Sequence, residues 1–189
     1  MPIEAREWAM CHSLLVRSPP RMHTLTMPPG ASSLDDLDGR LLTLLSERPH
    51  IGVLGASRAL GVARGTVQAR IDRLVERGVI ETFAPQLSPA ALGFPVTAFC
   101  ALEIRQERGH EPVGAHLSGI PEVLSAHTVT GTSDMLLVVV ARDNSDLQRV
   151  IDRIGRHDNV IRVSTSISLG TPVSYRTLPL VRAAYPESS

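Results

Sequence analysis

Between Gly61 and Gly78 the chain gathers side chains suited to recognition: Arg64, Thr66, Gln68, Arg70 and Arg73, with Gly65 among them. An arginine fork can hold two acceptor atoms of a phosphate or a guanine edge, and a glutamine amide can pair with an adenine edge. This chemistry binds; it makes no bonds. Elsewhere no nucleophile stands in a pattern with a base, no phosphate-cradling glycine loop occurs, and His, Cys, Asp and Glu do not fall at metal-ligand spacing. No catalytic residue and no metal site are expected.

Two short helices around a tight turn would position these residues. Gly61 marks the turn, where a positive φ is favoured, and Val62 fills its corner. The second helix is expected over residues 63–77, closed by Gly78, with Val67, Ile71 and Leu74 as its buried stripe. The opposite face carries Gly65, Ala69, Asp72 and Glu76, flanked by Gln68, Thr66 and Arg73. Gly65 and Ala69 leave almost no side chain at the centre of that face, so the helix can press close to a groove floor while Arg64, Thr66 and Gln68 reach sideways. Asp72 and Glu76 would repel phosphates, which confines contact to the first half. A preceding helix over residues 37–45 carries Leu37, Leu41, Leu44 and Leu45 in register, with Ser33 and Asp36 as its expected capping box. After Gly78, residues 79–83 read as a short β run of the kind that forms a wing. Three helices and a wing make a winged helix-turn-helix.

Residues 84–95, with three prolines counted from Pro85, read as a stiff hinge. From Val96 the pattern becomes strand 96–105, helix 111–117, strand 123–130, strand 135–142, helix 145–156 and strand 160–169. The order βαββαβ predicts a ferredoxin-like domain, a four-stranded antiparallel sheet with both helices on one face. Leu136, Val138 and Val140 alternate with Leu137 and Val139, so the uncovered face is apolar too. Dimerisation through that face is expected, with a tail from residues 171–189 lying across it as the alternative. Taken alone, Gly131, Thr132, Ser133 and Asp134 read as a hairpin turn between two strands.

Four stretches resemble the Lrp/AsnC, or feast/famine, family of transcription regulators: LDDLDGRLLTLL at 34–45, LGVARGTVQARIDRLVERGVI at 60–80, TGTSDMLLVV at 130–139, and the element order after residue 95. The resemblance implies an N-terminal DNA-binding domain, here residues 31–83, joined by the hinge to an effector-binding and oligomerisation domain, here residues 96–170. It implies DNA contact through Arg64, Gly65, Thr66, Gln68, Arg70 and Arg73. It also implies a small-molecule effector, commonly an amino acid, at Gly131, Thr132, Ser133 and Asp134, with His127 nearby. Asp134 would accept hydrogen bonds from an α-ammonium group, and the Thr132 and Ser133 hydroxyls would hold a carboxylate. The chain departs from the family in having Ala63 where a serine usually caps the recognition helix. It also has small residues at 132 and 133, which predicts a roomier effector pocket.

Composition agrees with a DNA-binding homo-oligomer rather than a lone basic domain. The 189 residues hold 19 basic and 19 acidic side chains, every base being arginine. Residues 31–83 have seven Arg against seven Asp and Glu, so useful affinity for double-stranded DNA is expected from several linked copies. An effector-independent architectural DNA-binding protein is the alternative, and the lack of a basic surface counts against it. Aromatic content of 3% disfavours stacking on single strands. The two cysteines, Cys11 and Cys100, suit a reducing cytosol, and neither a membrane span nor a signal peptide is expected. Residues 1–30, rich in proline, are expected to form a mobile extension.

Overall fold

The computed structural model describes residues 34–105 and 109–185. The expected N-terminal extension and Ser33 lie outside the described residues. Three helices come first: α1 (Asp36–Glu47), α2 (Gly52–Leu60) and α3 (Arg64–Glu76). Their common core is Leu41, Leu42, Ala56, Val67 and Leu74, with Ile71, Val62 and Ile51 packed against it. The stripe of Val67, Ile71 and Leu74 therefore faces inward as its spacing dictates.

The start of α1 corrects the expected cap. Asp35 occupies the cap, its carboxylate accepting from the Asp38 backbone N–H at 2.8 Å, while Asp38 accepts in return from the Asp35 backbone N–H at 3.2 Å. Two aspartates three residues apart satisfy the reciprocal geometry that a Ser–Glu pair usually provides. The β run expected after Gly78 does not form, since residues 79–83 are in no strand. The backbone N–H groups of Val79 and Ile80 both donate to the Leu74 carbonyl, at 2.9 and 3.1 Å, which closes the end of α3 through Gly78 at φ +69°. Donors used in a helix cap are not available to a ladder, and no described strand lies alongside.

The second half follows the expected order: β1 (Val96–Ile104), α4 (Glu111–Ser118), β2 (Val123–Thr128), β3 (Met135–Ala141), α5 (Asn144–Gly155) and β4 (Val160–Ile167). The sheet order is β2-β3-β1-β4, every neighbour antiparallel. Ala98, Cys100, Leu102, Leu137 and Val139 meet Val113 and Leu117 of α4 and Leu147, Val150 and Ile154 of α5 in one core. On the other face Phe99 pairs with Val138, and Ala101 with Leu136. Phe99 is 43% and Leu136 39% exposed. The strands flanking this apolar centre place Ser125 and His127 on one side and Ser164 and Ser166 on the other.

The C-terminal segment does not cross that face. It returns to the first domain as α6 (Leu178–Ala184), where Val181 joins the core of the three helices and Arg182 pairs with Glu47 on α1. Val181 packs on that core while Leu180 stays exposed, and Gly39 leaves a notch in α1 for Tyr185. Between the two domains, residues 88–93 make a turn closed by Gly93 at φ +91°. Phe94 then lies under Arg142, whose guanidinium carbon is 5.5 Å from the ring centroid. Among the described residues no helix is long and apolar enough to cross a membrane.

Candidate nucleic-acid interface and effector loop

The turn between α2 and α3 is held from both sides. Gly61 takes φ +69°, a conformation that costs an L side chain about 1–2 kcal/mol. The Val62 backbone N–H donates to the Ser57 carbonyl at 3.2 Å, and the Ser57 hydroxyl donates to the Val62 carbonyl at 2.6 Å. Ser57 escaped sequence reasoning, since its partner lies five residues on across a turn. Ala63 then caps α3 in an extended conformation with no side-chain hydrogen bond. The missing serine leaves the first N–H groups of α3 without that acceptor.

Arg64, Gly65, Thr66 and Gln68 are exposed together at the start of α3. No atom lies within 4 Å of where a Cβ on Gly65 would sit, so the backbone there is open to close approach. The Gln68 amide donates to Asp72 Oδ1 at 2.8 Å, which fixes its direction one turn ahead of a carboxylate that would repel phosphate.

Arg70 and Arg73 lie elsewhere, turned toward α1. Arg70 Nη1 is 2.6 Å from Asp35 Oδ2 and 2.7 Å from Asp38 Oδ1, and Arg73 Nη2 is 2.8 Å from Asp38 Oδ2. Asp38 is only 1% exposed, and charge this deep is tolerable only when paired and hydrogen-bonded. Arg70 holds the Asp35 carboxyl below its ordinary range, and the carboxylates raise the pKa of Arg70 in return. The six arginine-, glycine- and glutamine-rich positions picked out in the sequence thus divide into four on the open end of α3 and two that lock α3 against α1.

In the loop between β2 and β3, Gly131 takes φ +122° and Thr132 is exposed, while Ser133 and Asp134 are half-buried. Asp134 Oδ2 accepts from the Ile104 backbone N–H at 2.8 Å, its own N–H donates to the Leu102 carbonyl at 2.8 Å, and its carbonyl accepts from the Val129 N–H at 3.0 Å. Asp134 therefore pins the loop to the end of β1, next to the bulge between Glu103 and Ile104. His127 is exposed on the edge strand β2, opposite Leu136. Among the described residues no group of three His, Cys, Asp or Glu side chains is placed to hold a metal ion.

Comparison with known proteins agrees with this geometry. Residues 34–81 match the model of the winged helix-turn-helix DNA-binding domain, and residues 97–178 that of the Lrp/AsnC ligand binding domain. The chain is 33% identical over 136 residues to the HTH-type transcriptional regulator Rv2324 of Mycobacterium tuberculosis, covering 72% of this chain and 92% of the relative. Among solved structures, AsnC of E. coli superposes with a TM-score of 0.72 at 25% identity, covering 78% of this chain and 99% of that one. The regulator NMB0573 of Neisseria meningitidis, solved as its L-Met complex, gives 0.71 at 27% identity, covering 78% and 97%. The chain is a DNA-binding transcriptional regulator of the Lrp/AsnC family, not an enzyme.

Proposed function

We propose that this regulator reads a DNA sequence with the first two turns of α3 and that an amino acid bound at residues 131–134 alters how its subunits assemble on DNA. Arg64, Thr66 and Gln68 are the base-reading side chains, and Gly65 admits the groove wall. The observation that carries the reading is the exposure of these four residues on a helix end that is otherwise clamped by its core stripe and by Asp38.

The open sheet face supplies the assembly. Phe99, Leu136 and Val138 form an apolar centre bounded by serines and His127, the arrangement expected of an isologous interface with a hydrophobic middle and a polar rim. The effector loop ends on β3, which runs through the middle of that face, so a ligand at Thr132, Ser133 and Asp134 can favour one assembly over another. Only such a preference shifts the equilibrium. Residues 84–95 would pass the change to the reading helices. L-methionine is the first effector to try, because the Neisseria relative was solved with it.

The test is binding of the full chain to DNA upstream of its own gene, against a nonspecific duplex, with and without each amino acid. Specific binding altered by one amino acid supports the whole reading. Specific binding indifferent to all of them removes the effector, and no preference over the nonspecific duplex removes sequence reading and leaves an architectural role.

A further inference from the structure

The contact between Asp35 and Arg70 is built differently from the rest of its cluster. Arg70 Nη1 lies 2.6 Å from both Asp35 oxygens and 2.7 Å from Asp38 Oδ1, so one guanidinium nitrogen faces three carboxylate oxygens. Asp38 is buried, and its oxygens are also engaged by Arg73 and the Asp35 backbone N–H. By contrast the Asp35 side chain is 51% exposed and that of Arg70 21%. An exposed ion pair is weak and exchangeable, whereas a charge left alone beside a buried partner is costly. Arg70 can therefore leave Asp35 far more readily than it can leave Asp38.

Two carboxylate oxygens around one guanidinium nitrogen offer what two oxygens of a phosphodiester would offer. We propose that Asp35 is an internal stand-in for a DNA phosphate, so that on the duplex Arg70 exchanges Asp35 for a backbone phosphate while Asp38 keeps it anchored. The proposal rests on α3 being the DNA-reading helix. Asp35 is then a positioning residue that sets specificity. Every encounter with DNA must break its pair and leave its charge facing the backbone, which lowers affinity for all sequences alike. Binding then depends more heavily on the base contacts of Arg64, Thr66 and Gln68. The equal count of Arg and acid in residues 31–83 has the same consequence on the scale of the domain.

The test is a double-mutant cycle in the full chain, read as affinity for a nonspecific duplex across a salt series. Asp35→Asn keeps an excellent cap for α1 while removing the charge. Asp36→Asn, an exposed neighbour on the same helix end, is the control for charge alone. Asp35→Asn should bind about fivefold more tightly and Asp36→Asn less than about twofold, and the gain should vanish when Arg70→Gln is added. Arg70→Gln by itself should reduce the salt slope by about one, the signature of one lost phosphate contact. Equal gains from the two asparagine variants, a gain that survives without Arg70, or an unchanged slope would each overturn the proposal. Should Asp35→Asn fold poorly, Asp35→Ser completes the same cycle. Failure of the underlying reading looks different: Arg64→Ala and Gln68→Ala would then leave affinity for the gene's own upstream DNA unchanged, whatever the Asp35 variants do.

Discussion

Gly39 on α1 lies directly beneath Tyr185 at the end of α6, so close that a Cβ at position 39 would stand 2.6 Å from the tyrosine Cβ and 2.8 Å from its Cγ. The helix of the C-terminal segment is thus seated on the DNA-binding domain through a notch that only glycine leaves open. Gly39→Ala should destabilise the chain by about 1–3 kcal/mol through overpacking, less a fraction regained from alanine's better helix propensity. Adding Tyr185→Gly, which removes the Cβ as well as the ring, should return most of that loss. The cycle is measured by urea unfolding, and simple additivity of the two changes would show that α6 does not occupy the notch.

Ala63 gives α3 no side-chain cap although its backbone is already shaped for one. Its φ of −61° and ψ of 145° are those of an ordinary N-cap. Ala63→Ser should therefore stabilise α3 by about 1 kcal/mol, the serine hydroxyl accepting from the N–H of Gly65 or Thr66. A raised urea midpoint with an unchanged m-value would report this gain. No change would mean that the first turn is satisfied by water at no cost.

These elements differ in how much of them was legible beforehand. The stripe of Val67, Ile71 and Leu74, the turn at Gly61 and the order of strands after Val96 are periodic or local features, and the chain carries them in plain form. Residues 79–83 have strand-forming side chains, yet Val79 and Ile80 use their N–H groups on Leu74, a backbone choice that propensity does not encode. The carboxylates facing Arg70 and Arg73 were hidden, because arginine on a recognition helix looks alike whether or not such a partner is present. Those partners, Asp35 and Asp38, stand more than thirty positions away in the chain. The destination of the tail was hidden for the same reason, since the apolar face of α6 would suit either the open sheet or α1, and only the shape of the notch at Gly39 decides.

Asp134 has a structural duty that must be separated from any role toward a ligand. Asp134→Ala strands the Ile104 N–H near the bulge in β1 and should cost about 1–3 kcal/mol. Asp134→Asn retains an acceptor for that N–H and should cost well under half as much. If the carboxylate also binds an α-ammonium group, the asparagine variant should keep its fold and lose the response to the amino acid. Thermal unfolding and ligand-dependent DNA binding, measured on both variants, separate the two duties. An asparagine variant that is stable and fully responsive would assign Asp134 to the fold alone.

Glu122 is one of the carboxylates through which acid should destabilise the second domain. Burial works to raise its pKa, but the hydrogen bond from Arg149 at 2.6 Å, helped by Arg153 at 3.2 Å, prevails and holds it below the ordinary 4.5. The folded chain therefore binds this proton less readily than the unfolded chain does. The stabilisation is complete above the unfolded value and is lost as pH falls through the folded one. Because both arginines keep substantial contact with water, its worth at neutral pH is about 1–2 kcal/mol rather than that of a fully buried pair. Glu122→Gln should lower the melting temperature at pH 7 and flatten its decline as pH falls below the ordinary glutamate value of 4.5. Asp35 and Asp146 are lowered in the same direction, so the wild-type decline will not vanish entirely. A glutamine variant whose melting temperature falls as steeply as wild type over that range would remove Glu122 from the acid transition.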